Sequence, residues 1–199
     1  MLDDGRPLLV AAVGIGCSEQ GTPTVPDTVR LTRFVEEGPR LETLDTFDLS
    51  ATGRIYRLDL LRGPVRSFVL WQAEDRTAVL PPGVTGVRLN EAGQPEGDPF
   101  LVTPSASLGL AASAAGEGFA IAYLEDENAL PLTISVSLFD ENADLTDTIS
   151  IPTTTPSLGD VALLTSPEAD AFLLAWQPMD RPTEVELTRI RCAVPPHRR

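Results

Sequence analysis

Carboxylates are the residues of this chain best placed to carry chemistry. Glu74 and Asp75 follow the pair Trp71-Gln72, Glu125 and Asp126 follow Tyr123, and Asp180 follows Trp176-Gln177. Two carboxyl groups are the minimum equipment of glycoside hydrolysis, one donating a proton and the other acting as base or nucleophile. Gathered on one rim without such a partition, they would attract cations or a basic partner. The plain alternative is an Asp that only bonds the backbone of its own turn. A second group, Asp140, Asn142 and Asp144, has the 1-3-5 oxygen spacing of a calcium loop. Leu145 stands where the EF-hand loop has Gly, and Ile151 where it has the closing Glu. Calcium is therefore the one cofactor to weigh, and no other is expected.

Much other chemistry is missing. The chain has one histidine, His197, set in a Pro-Pro-His-Arg-Arg tail. A Ser-His-Asp triad would have to recruit it from there. Cys17 and Cys192 lie at opposite ends and form no zinc-ligand pair. Gly14-Ile-Gly16 lacks the third glycine of a dinucleotide fingerprint, and no P-loop, nucleophile elbow or metalloprotease motif occurs. These absences predict a chain that is not an enzyme. The net charge is −14, and every basic side chain apart from the histidine is arginine. Nucleic acid is excluded as a partner by that balance, because phosphate binding needs clustered Lys or Arg. No run of apolar residues is long enough to span a membrane as a helix.

The elements that must position these residues are set by a repeat. Trp71-Gln72 with Asp75-Arg76 recurs as Trp176-Gln177 with Asp180-Arg181, and Tyr123 with Asp126 lies midway. The step is about 52 residues, a period typical of propeller blades. Ser107-Leu108-Gly109 recurs as Ser157-Leu158-Gly159. Val29-Arg30-Leu31-Thr32-Arg33-Phe34 recurs three steps later as Val185-Glu186-Leu187-Thr188-Arg189-Ile190. The turn Glu91-Ala92-Gly93 parallels Glu36-Glu37-Gly38 and Glu141-Asn142-Ala143.

Each unit reads as four short strands. With 15 Gly and 18 Pro punctuating the chain, no window keeps helical apolar spacing. In the third copy the strands are Leu108 to Ala112, Phe119 to Tyr123, Leu132 to Phe139 and Leu145 to Ile151. The runs Phe119–Tyr123 and Phe172–Trp176 are apolar on both faces, so both should be covered on both sides. Thr133–Leu138 alternates and should keep one solvated face. The expected fold is all-β: a four-repeat β-propeller-like array of four-stranded antiparallel blades, with a β-sandwich as the alternative. The chain, 1–199, reads as one repeat domain, with repeats near 4–50, 51–103, 104–154 and 155–192 and a tail at 193–199. The first copy starts at its second strand and the last stops after its third, so about fourteen strands are expected.

The Phe-x-x-x-Trp strand, acidic loop and Gly-containing hairpin resemble the blade-like repeats of exported bacterial proteins and lipoproteins, over residues 4 to 192. That resemblance implies a propeller fold and is nearly silent on function. Leu8 to Gly16 ending at Cys17 also fits a lipoprotein signal, with Cys17 acylated. The same segment fits a strand, and Cys17 and Cys192 would then be candidates for a bridge. Trp71, Tyr123 and Trp176 should fill the space between blades, unless they face solvent and stack on sugars. The leading functional expectation is a non-catalytic binding or scaffolding module, extracytoplasmic, periplasmic or envelope-associated in a bacterium, taking a protein or glycan partner. Its alternatives are a propeller-type glycan hydrolase using rim carboxylates, or an incomplete piece of a longer array.

Overall fold

The computed structural model describes residues 8–13, 28–37, 40–50, 53–62, 66–75, 83–103, 108–115, 118–124, 131–155, 157–166 and 171–191. Among these it holds fourteen strands and no helix. They are β1 (Leu8–Val13), β2 (Thr28–Glu37), β3 (Arg40–Ser50), β4 (Gly53–Arg62), β5 (Ser67–Asp75), β6 (Gly83–Leu89) and β7 (Pro95–Thr103). Then follow β8 (Leu108–Ala115), β9 (Gly118–Leu124), β10 (Thr133–Phe139), β11 (Leu145–Pro152), β12 (Leu158–Thr165), β13 (Ala171–Pro178) and β14 (Glu186–Arg191).

Four antiparallel meanders result, with strand orders β1-β2-β3, β4-β5-β6-β7, β8-β9-β10-β11 and β12-β13-β14. We call them sheets 1 to 4. The first and last have three strands and the middle two have four. The fold is all-β and propeller-like in its sheets. The chain divides into two compact units: Met1–Leu60 with Arg66–Ser105, and Leu61–Val65 with Ala106–Arg199. Sheets 1 and 2 therefore fall almost wholly in the first unit, and sheets 3 and 4 in the second.

Local chemistry explains where the strands turn. The hairpins between the third and fourth strands of sheets 2 and 3 have the same frame. The Asn90 amide donates to the Gln94 carbonyl at 2.9 Å, and the Asp140 amide donates to the Asp144 carbonyl at 3.0 Å. The Asn90 side-chain oxygen accepts from the Gln94 amide, and Asp140 Oδ1 accepts from the Asn142 and Asp144 amides. Both turns need one left-handed residue, supplied by Gly93 (φ 74°) and by Ala143 (φ 64°). Gly meets that demand at no steric cost, and Ala does not.

The repeated Ser-Leu-Gly also has a structural meaning. Leu108 faces Leu124 and Ala111 faces Ala122. Leu158 faces Pro178 and Val161 faces Trp176. In both sheets one extra residue is inserted just after the motif, which is a β-bulge at the start of the first strand.

Burial refines the expectations drawn from pattern. Strand β9 is buried on both faces, as its apolar run predicts. Strand β13 is not: Phe172, Leu174 and Trp176 are buried, while Leu173, Ala175 and Gln177 on the other face are only half-buried. Strand β10 corrects the opposite expectation. Its alternating serines, Ser135 and Ser137, are buried. Ser137 can sit there because Tyr123 Oη lies 3.1 Å and Thr148 Oγ1 3.3 Å from its hydroxyl. A satisfied hydroxyl tolerates burial, so polar alternation does not guarantee a wet face.

Candidate functional site

The carboxylates singled out by the repeat occupy one topological position. Glu74 and Asp75 end β5, Glu125 and Asp126 come just after β9, and Asp180 comes just after β13. Each follows the second strand of its sheet. Glu125 and Asp126 lie outside the described residues, as do the side chains of Glu74 and Asp75, and as do Cys17 and Cys192. Asp180 is exposed, and its Oδ1 accepts a hydrogen bond from the buried Thr155 hydroxyl at 2.9 Å. That bond ties the turn after β13 to the β11–β12 connection. The next residue, Arg181, pairs with Glu184 at 2.6 Å and with Glu186. Arg181 titrates higher than usual because Glu186 and Glu184 bond its guanidinium.

Asp140 spends one carboxylate oxygen on the backbone of its own hairpin, as described above. Among the described residues no group of three or more His, Cys, Asp or Glu is placed to hold a metal ion. Asp144 and Asn142 are exposed at the tip of that turn.

The repeat aromatics Trp71, Tyr123 and Trp176 are all buried. Stacking on a sugar is closed to them, and they pack as core. Trp71 joins Val29, Leu31, Ile55, Val69, Val87 and Leu89 between sheets 1 and 2. Trp176 joins Leu124, Ile134, Leu163, Phe172 and Leu174 between sheets 3 and 4. Its indole Nε1 is buried with no hydrogen-bond partner.

Strand β4 carries residues of interest that the repeat does not mark. Asp59 is half-buried, and burial raises its carboxyl above the ordinary range, partly opposed by the Leu60 backbone amide. It is the one carboxyl with a clearly raised pKa among the described residues. On the same strand Tyr56 is 47 % exposed, alone among the aromatic rings in being largely open to solvent. The Arg54 guanidinium lies over that ring, 5.1 Å from its centroid. A carboxyl whose protonated form is favoured by desolvation suits a general acid, and an open aromatic ring flanked by an arginine can stack on a sugar. The sequence Gly53-Arg-Ile-Tyr-Arg-Leu-Asp-Leu-Leu-Arg62 offers no motif for this.

No family model matches the sequence, and comparison with curated proteins finds no match. Comparison with solved structures does. The chain is similar to an α-L-arabinofuranosidase from Lactobacillus brevis with a TM-score of 0.52 and 10% identity, over 95% of this chain and 70% of that one. An α-L-arabinanase from Penicillium chrysogenum, solved with arabinobiose, gives a TM-score of 0.49 at 8% identity, over 93% of this chain and 64% of that one. A thermostable family-43 glycoside hydrolase gives 0.45 at 12% identity, over 83% and 68%. At such identity the first of these speaks for the fold. It also corrects the expectation of a non-enzyme, which rested on missing histidines and motifs. Glycoside hydrolysis needs carboxyl groups and neither a triad nor zinc. The fold that this chain shares is one that an α-L-arabinofuranosidase uses.

Proposed function

We propose that this protein is a propeller-type glycan hydrolase acting on furanosyl linkages of the arabinose class. The observation that carries the reading is the fold similarity to the α-L-arabinofuranosidase over 95% of this chain. That is an analogy at the level of fold. The chemistry of β4 supports it independently. In this reading Asp59 is the proton donor to the leaving oxygen, because desolvation keeps its carboxyl protonated at higher pH than an ordinary Asp. Tyr56 and Arg54, together on one face of β4, form a sugar-contacting surface. The second carboxyl in this reading is Glu74 or Asp75, which belong to the same compact unit as Asp59. A role on polymeric glycans fits the extracytoplasmic placement expected from the repeat.

The test is release of nitrophenol from 4-nitrophenyl α-L-arabinofuranoside and of reducing sugar from arabinan. Asp59→Asn should lower kcat by about 100-fold or more, the usual contribution of a general acid. Tyr56→Ala should raise KM with little change in kcat. With Asp59 as acid, the wild-type rate should fall as pH rises through its carboxyl pKa. A folded wild type that cleaves neither substrate overturns the reading.

A further inference from the structure

Strand β4 runs against the charge of the chain. The net charge is −14, yet β4 carries Arg54, Arg57 and Arg62 against the single Asp59. No other described strand has so large a basic excess. An acidic protein repels anionic ligands in general, so an anion it takes must be met by a local positive field. The alternation of β4 turns that field outward. Ile55 and Leu61 are buried, whereas Arg54, Tyr56, Leu60 and Arg62, on the other face of the strand, are exposed.

Arg57 and Arg62 have interactions of their own within the protein. They add to the field, and no contact with a ligand is asked of them. Arg54 is placed for contact. Its guanidinium lies 5.1 Å from the centroid of the Tyr56 ring. A ring holds a guanidinium through charge and stacking and does not consume the N–H fork, from which a carboxylate accepts two parallel bonds. With that guanidinium over it, Tyr56 is still 47 % exposed, so ring surface remains for the apolar face of a sugar. An anion fork and an aromatic surface thus stand side by side.

We propose that Arg54 and Tyr56 form a subsite for a uronic-acid residue, so that the glycan this protein takes is acidic. The inference rests on the glycan-hydrolase reading for the class of its ligand, and it adds a carboxylate to that ligand. Arg54 pairs with the carboxylate in two parallel bonds, and the Tyr56 ring takes an apolar face of the same sugar. Arg57 and Arg62 keep the potential along the strand positive.

The probe is trigalacturonate, compared with its fully methyl-esterified form, each titrated calorimetrically into the full chain at low salt. The free acid should bind saturably and about 10-fold or more tighter than the ester, a difference that added NaCl erodes. Arg54→Gln should bring the acid to the affinity of the ester, and Arg54→Lys should restore part of the preference. Tyr56→Ala should weaken acid and ester alike. Thermal melting checks that these exposed substitutions leave the chain folded. No saturable binding of the free acid, equal affinity for acid and ester, or a preference that Arg54→Gln leaves in place overturns the proposal. So does equal binding of a polyglutamate peptide of the same charge, which would make β4 a general anion surface. Binding is read without turnover, so the two readings fail separately: a chain that prefers the acid but cleaves no arabinoside loses the hydrolase reading alone.

Discussion

The seam between sheets 1 and 2 and the seam between sheets 3 and 4 are built from the same repeat and fastened by different means. In the first, Arg33 reaches out of β2, grips Asp45 on β3 and donates from Nη1 to the Ala92 carbonyl at 2.6 Å in the β6–β7 turn. Its side chain is buried, and it lies over the Phe47 ring. In the second, the fasteners are hydroxyls. Ser113 and Thr165 lie 2.7 Å apart, and Thr165 also donates to the Ala114 carbonyl. Here the apolar cluster is broader, running from Ala111 and Ala122 through Phe172, Leu174 and Trp176 to Ile190. The repeat therefore conveys an apolar face, and each seam adds its own polar latch. One latch titrates and the other does not.

The largest effect should come from the apolar seam. Phe172→Ala removes one of the largest fully buried side chains. It should cost about 4 kcal/mol in urea denaturation, with the same loss at neutral and acid pH. A strongly pH-dependent loss would show that the second seam also relies on charge.

Next is the ionic seam. Asp45→Ala leaves the buried Arg33 guanidinium without its carboxylate and should cost about 3 kcal/mol at neutral pH. The Arg33 guanidinium bonds Asp45 and holds its carboxyl below the ordinary value of 3.8, against the opposing effect of burial. Such a depressed group stabilises the fold fully above the unfolded value and loses that contribution as pH falls through the folded one. The gap between wild type and Asp45→Ala should accordingly close in acid. A gap of constant size from neutral pH to about pH 2 would mean that the pair contributes shape and no charge.

The smallest effect compares the two matched hairpins. Ala143→Gly should stabilise the β10–β11 turn by about 0.5–1 kcal/mol, because the left-handed conformation suits Gly. Gly93→Ala should cost about 1 kcal/mol in the equivalent turn. Equal and negligible shifts in Tm would show that these turns are set by the flanking ladder alone.

Much of the fold is legible in the sequence. The repeat of Trp-Gln and Ser-Leu-Gly marks equivalent strands, and the turn residues at 90–94 and 140–144 mark equivalent hairpins. These are local signals, carried by backbone preference and by side chains that bond within a few residues. The burial of Trp71, Tyr123 and Trp176 was also readable, because a large ring recurring at one repeat position has to be covered in each copy. What pattern misjudged were faces. Ser135 and Ser137 looked solvated and are buried; Leu173 and Ala175 looked buried and are half-open. A face is wet or dry according to what packs on it, and that neighbour lies far away in sequence.

The same reason governs the candidate site. By itself the sequence determined an all-β chain of repeated antiparallel meanders, acidic, arginine-rich among its cations, with carboxylates recurring at the end of the second strand or just after it in three of the four repeats. It could not distinguish Asp59 from any other aspartate, because a raised pKa is a property of surroundings. Nor could it tell that Arg33 is a buried latch while its repeat mate Arg189 is exposed. Val29 and Leu31 are 0 % exposed, whereas Val185 and Leu187, in the same places of the repeat, are 62 % and 69 % exposed. Nearly identical strings of residues met different neighbours, and burial, charge pairing and proton affinity follow the neighbour. Those were decided by tertiary structure alone.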